Sequence, residues 1–215
     1  MAQNDLRYFL RELTYTKDEH DPTIPAKKYP WEEKPYLQTI AGIWLKTLRL
    51  LLPKSRQLLI TWTTAACYLW DSMCLQNRLN FFQSKKETDA AAILERANFI
   101  YENLGGPDYE ADGTPRIGKS LIKLFKPRAS YTTAKGNCRL RFPTLSSQIW
   151  AIPEGADIIR SYTLSGWFCD ETAFQANVDK AWQAARPALA GGGRFTGVSS
   201  ANGKNYWFGL VYDLV

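Results

Sequence analysis

Two stretches of the chain carry side chains that could act on a phosphoanhydride. The first is Lys54-Ser55-Arg56-Gln57-Leu58-Leu59-Ile60-Thr61, in which two cations lead to a hydroxyl. Lys54 and Arg56, with the backbone amides of the loop through Ser55 and Gln57, are suited to β- and γ-phosphate oxygens. Thr61 stands where a phosphate loop places its magnesium-ligating hydroxyl. The second is Leu164-Ser165-Gly166-Trp167-Phe168-Cys169-Asp170-Glu171, an apolar run ending in adjacent carboxylates. Asp170 would hold magnesium, and Glu171 would polarise the attacking water. Alone, the first could be a basic turn and the second a solvated strand end; their order along the chain favours the chemical reading of both.

A literal GxxxxGK[ST] pattern also occurs, from Gly113 to Gly118-Lys119-Ser120. Its context argues against it. A phosphate loop leaves a buried strand and opens a helix, so that N–H groups at the helix start face the phosphates. Gly-Gly-Pro-Asp-Tyr-Glu-Ala-Asp before it cannot be a central strand, and Pro115 removes an N–H donor.

The elements around the preferred stretches read as alternating strands and helices. An amphipathic helix is expected within 3–14, from Leu6, Phe9, Leu10 and Leu13, followed by an extended arm with four prolines, so that 1–35 precede a main domain over 36–215. A helix is expected at 37–45, a buried strand at 48–52, and a long helix over 61–79, which lacks Gly and Pro. Then come a strand at 80–83, a helix from 85 to about 103 and an irregular segment over 105–136. Strands at 138–142 and 148–152 can pair. A strand at 164–169, a helix at 178–189 and strands at 195–199 and 206–212 complete the reading. Such alternation belongs to the α/β class.

Composition narrows the function classes. At 215 residues with 45% apolar and 22% charged residues, the chain is long enough for its own core and unlike a disordered protein. No apolar run spans a bilayer and the N-terminus lacks a cleavable apolar core, so a cytoplasmic location is expected. The cysteines Cys67, Cys74, Cys138 and Cys169 form no CxxC pair and His20 is the single histidine, which argues against a structural metal. The net charge of +6 is unevenly spread: between Asp112 and Glu154 there are eight cations and no carboxylate, leaving the remainder acidic by two. Arg116, Lys119, Lys123, Lys126 and Arg128, interleaved with aromatic residues such as Phe125 and Tyr131, are candidates for DNA phosphate contact, with a solvated basic face as the alternative.

The combination of KSRQxxxT, SxxETDA, RSYTLSGWFCDETAF and VSSANG resembles the ATPase domain of the large terminase subunit of tailed bacteriophages, over about residues 36–208. The resemblance implies an additional-strand P-loop NTPase: a central, mostly parallel sheet flanked by helices on both faces. It implies a magnesium-dependent ATPase that, as a homo-oligomeric ring docked on the procapsid in the host cytoplasm, drives double-stranded DNA through the portal protein with a small terminase subunit as partner. The isolated chain would be a monomer of weak activity. Lys54 and Arg56 match the deviant Walker A of that family, and Asp170 with Glu171 its Walker B pair. Arg160 matches an arginine contributed in trans, and Ser199 and Ser200 the coupling motif. Tyr36 and Gln38 match the position of its adenine contacts.

Two departures stand out. Leu59 occupies a loop position where the family commonly has glycine and Ile60 one where many P-loops have lysine; a non-glycine residue at positive φ costs about 1–2 kcal/mol. After Glu171 only Asp179 and Asp213 remain as carboxylates, too few for the two-metal nuclease of large terminases, so a motor half without nuclease activity is expected. The alternatives are a catalytically silent module of the same fold that binds DNA or the portal, and another DNA-translocating ATPase such as a helicase.

Overall fold

The computed structural model describes residues 5–18, 21, 23, 26–107, 122, 124 and 126–212. His20, Arg116, Lys119, Lys123 and the whole of the Gly113 to Ser120 pattern lie outside them. The N-terminal segment forms a short helix α1 (Leu6–Tyr8), continued as a π-helical turn Phe9–Leu13, and a small hairpin of β1 (Tyr15–Thr16) and β2 (Lys27–Lys28). Leu6, Phe9, Leu10, Tyr29 and Trp31 from this segment enter the same core cluster as the long helices that follow.

Then come α2 (Pro35–Lys46), β3 (Arg49–Pro53), α3 (Ile60–Cys74), β4 (Leu79–Gln83) and α4 (Glu87–Glu102). After them the chain runs through β5 (Ser130–Ala134), β6 (Asn137–Phe142), β7 (Ser147–Ile152), α5 (Asp157–Arg160), β8 (Gly166–Asp170), α6 (Val178–Ala188), β9 (Arg194–Ser199) and α7 (Tyr206–Val211). Seven strands make one sheet in the order β3-β9-β8-β4-β7-β6-β5, parallel from β3 to β7 and antiparallel across β6 and β5. β9 lies between β3 and β8, the strands that lead into the two candidate phosphate motifs, which is the place of the additional strand in that fold class.

Alternation along each strand gives the sheet two apolar faces. Leu50, Phe82, Leu140, Ile149, Phe168 and Val198 join α3 and α4 on one side, while Phe81, Trp150, Trp167 and Phe195 join the layer of α5 and α6 on the other. Helix α3 is apolar almost all round and buried accordingly. Its Tyr68 hydroxyl donates to the Trp167 carbonyl and exchanges a hydrogen bond with Thr196. The Tyr68 ring lies so close to β8 that a Cβ at Gly166 would overlap it. This close approach fixes where α3, and so the loop before it, sits over β8 and β9.

Besides the unexpected hairpin of β1 with β2 and the unexpected helix α5, three elements differ from the sequence reading. Helix α3 stops at Cys74 rather than 79, because Asn77 turns left-handed (φ 57°) and Arg78 folds back to pair with Asp71 at 2.8 Å. Residues 130–134, expected as irregular, form β5, since Gly136 at φ 70° closes a hairpin onto β6. Residues 206–212, expected as a strand, form α7: the Asn205 side chain accepts from the Phe208 N–H and caps a helix, and an apolar run that short fits either element. Among the described residues no helix is long and apolar enough to cross a membrane.

Candidate nucleotide site

Strand β3 ends at Pro53, opposite Ser199 of β9, and the Lys54 N–H continues that ladder by donating to the Ser199 carbonyl at 2.9 Å. The chain then makes a tight loop through Gln57 (φ 62°) and Leu59 (φ 56°), both left-handed, and enters α3 at Ile60. Leu59 thus adopts the positive φ of a position better suited to glycine. Each such residue costs about 1–2 kcal/mol, compensated here by α3, which is clamped to the sheet. Ser55, Arg56 and Gln57 are exposed on this loop. Tyr36 of α2 braces it, its hydroxyl donating to the Leu58 carbonyl.

Adjacency of β3, β9 and β8 brings the second motif against the first. The Thr61 hydroxyl donates to Asp170 Oδ2 at 3.0 Å, and Lys54 Nζ lies 3.5 Å from Glu171 Oε1. Burial pushes the Asp170 carboxyl above the usual carboxylate range, opposed by the Lys54 charge and by hydrogen bonds from Thr61 and from the Glu171 N–H. Glu171 itself is left-handed (φ 51°) and its side chain is 41% exposed, so the carboxylate reaches open space beside the loop. One buried carboxylate beside a hydroxyl suits magnesium, which takes one or two protein oxygens and completes its shell with water and phosphate. No cluster of three or more His, Cys, Asp or Glu is present among the described residues, so a multi-ligand metal cage is not formed there.

The remaining site residues divide. Ser199 is buried and its hydroxyl accepts the Ala173 N–H at 3.0 Å, which links the end of β9 to the turn after Glu171; Ser200 is partly exposed beside it. Gln38 spends its amide on the Trp31 carbonyl and lines a separate cleft with Arg7. Arg160 ends α5 in the layer opposite α3, its side chain 59% exposed and paired 3.6 Å from the exposed Asp157. Lys126 lies over the Tyr101 ring and donates to the Tyr101 carbonyl, whereas Arg128 is exposed.

Sequence reading missed the residues that hold the carboxylate turn. Gln175 donates to the Asp170 carbonyl, Thr172 to the Cys169 carbonyl, and Asn202 and Asn205 both to the Ala173 carbonyl at 2.9 and 2.7 Å. The asparagines of SSANGKN were a local signal of turn chemistry, but their target lies some thirty residues away and only the fold reveals it.

No protein-family model and no curated protein matches the sequence. Solved structures do. The chain superimposes on the ATPase domain of the large terminase of Thermus phage P74-26 with a TM-score of 0.55 at 15% identity, covering 86% of this chain and 73% of that one. The large terminase of bacteriophage HK97 gives 0.58 at 13% identity over 94% of this chain and 38% of its own length. The large terminase of a thermophilic bacteriophage, solved in complex with ADP, gives 0.52 at 12% identity over 79% of this chain and 39% of its own. The chain therefore has the fold of the terminase ATPase domain and spans about two fifths of these longer terminases.

Proposed function

We propose that this chain is the ATP-hydrolysing motor module of a viral DNA-packaging machine. The observation that carries the reading is the convergence of Lys54, Thr61, Asp170 and Glu171 at one sheet edge, with Thr61 on Asp170 and Lys54 on Glu171. Lys54, Arg56 and the loop amides bind the triphosphate, and Thr61 with Asp170 would hold magnesium. When bound, that ion neutralises charge developing on the phosphate oxygens.

Glu171 orients and deprotonates the attacking water. For this it leaves Lys54, whose ammonium turns to the phosphates. Arg160 is offered to the site of a neighbouring subunit in a homo-oligomeric ring. Such a finger is worth about 10³–10⁵ in rate, so the isolated chain hydrolyses ATP slowly. Ser199, Asn202 and Asn205 grip the turn after Glu171 and pass its movement to α7. The duplex DNA, the portal protein, the small terminase subunit and the procapsid are the partners this reading requires.

The test is hydrolysis of magnesium-ATP by the concentrated protein and by Glu171→Gln. Substitution of a general base by its amide should lower the rate by about 10²–10⁴-fold with nucleotide still bound. Equal rates in the two proteins would overturn the assignment, and failure of both to bind would favour a silent module of the same fold.

A further inference from the structure

One row of side chains crosses the whole sheet on the α5–α6 side. By register it runs Arg49, Phe195, Trp167, Phe81, Trp150, Arg139 and Thr132. Helices α5 and α6 cover its aromatic centre, and that cover ends at Tyr162, packed edge-on against Trp150 with centroids 5.0 Å apart. Beyond it, the Arg139 guanidinium lies over Trp150, its carbon 3.5 Å from the ring centroid. The long helix that packs on β6 and β7, α4, does so from the opposite face, through Leu140, Phe142, Ile149 and Ala151.

The charge centres on this face of β6 are two arginines. Arg139 and Arg141 stand two residues apart on β6, hence about 7 Å apart on one side of the strand. Neither has a carboxylate within ion-pair distance among the described residues, and the segment from 113 to 153 contains none at all. Burial and the neighbouring Arg141 both work against the charge on Arg139, with Tyr162 opposing them. Gln148, opposite Arg141, accepts the Trp150 indole N–H on its oxygen at 2.7 Å, which leaves its amide N–H groups as donors. The Thr132 hydroxyl stands opposite Arg139. A cleft of about 500 Å³ opens beside Arg139 and Trp150 toward Tyr162, with the carboxylates of Glu87 and Asp157 also in its lining.

We infer that this face of β5 and β6 is a binding surface for the phosphodiester backbone of duplex DNA, with Arg139 and Arg141 as its charge centres. Stacking on Trp150 holds the Arg139 fork in place, so its N–H edge meets a phosphate at reduced entropy cost. Paired guanidiniums at the spacing of neighbouring phosphates suit phosphate oxygens, and contacts to phosphate carry no sequence information. The inference rests on the packaging reading for its partner but not on the nucleotide site for its geometry.

The test is fluorescence anisotropy with a labelled duplex over a salt series, comparing wild type, Arg139→Gln/Arg141→Gln and Arg139→Lys/Arg141→Lys. The Gln variant is expected to bind about tenfold or more weakly at low salt and to lose about 2 from the slope of log K against log salt, because each lost phosphate contact removes about 0.9. The Lys variant should keep the slope. A Gln variant indistinguishable from wild type, a Lys variant that falls as far as the Gln variant, or wild type that binds polyglutamate as tightly as duplex would each overturn it. Calorimetry with magnesium-ATP on the same proteins reads the nucleotide site separately, so loss of one reading leaves the other visible.

Discussion

The Thr61 hydroxyl and the Asp170 carboxylate, 109 positions apart in the chain, meet at 3.0 Å where α3 begins and β8 ends. Removing the hydroxyl leaves a buried carboxylate short of a donor, which costs about 1–3 kcal/mol. Thr61→Val should therefore lower the denaturation midpoint and abolish the magnesium dependence of nucleotide binding. Thr61→Ser should retain both. Chemical denaturation and calorimetry of the two variants check this.

Gln57 is exposed and left-handed, so its side chain contributes strain and little packing. Gln57→Gly should stabilise the protein by about 0.5–1 kcal/mol, since glycine takes positive φ without penalty while gaining freedom in the unfolded chain. Thermal unfolding would register this as a higher midpoint.

Gly166 lies under the Tyr68 ring, and the ring is held by two hydrogen bonds and by stacking on Phe168. Gly166→Ala must displace the Tyr68 ring and the Asn80 side chain, and is expected to shift α3 on β8. The expected cost is about 1–3 kcal/mol, together with weaker nucleotide binding, because the loop before α3 moves with it. Gly136→Ala, where a Cβ meets nothing, would strain only the hairpin and leave nucleotide affinity unchanged. Denaturant titration and nucleotide titration of the pair separate the two effects.

Much of this arrangement was legible in the chain itself. The loop from Lys54 to Thr61 sits between an apolar run and a helix without glycine or proline, and Asp170-Glu171 ends an apolar strand; both signals are local. The strands β6 and β7 and their pairing were equally legible. What local patterns could not carry is adjacency. Asn202 and Asn205 reach Ala173 only because β9 lies beside β8, and Arg139 meets Trp150 only because β6 returns along β7. The apolar run of α7 has no period that separates helix from strand, and β5 is too polar to announce itself before its hairpin partner is known.

Asn205 performs two tasks at once, capping α7 and holding the Ala173 carbonyl. Asn205→Ala should destabilise by about 1–2 kcal/mol and slow hydrolysis more than it weakens nucleotide binding, because the turn that bears Glu171 loosens while Lys54, Thr61 and Asp170 stay in place. Steady-state kinetics showing a lowered kcat with an affinity close to wild type would bear this out.

The most direct measurement is titration calorimetry of magnesium-ATP against wild type, Lys54→Ala and Lys119→Ala, since on the proposed reading binding does not draw on a neighbour's arginine. The expected result is heat of binding in wild type and Lys119→Ala and none in Lys54→Ala. Binding that survives Lys54→Ala and is lost in Lys119→Ala would contradict the site at the junction of β3 and α3.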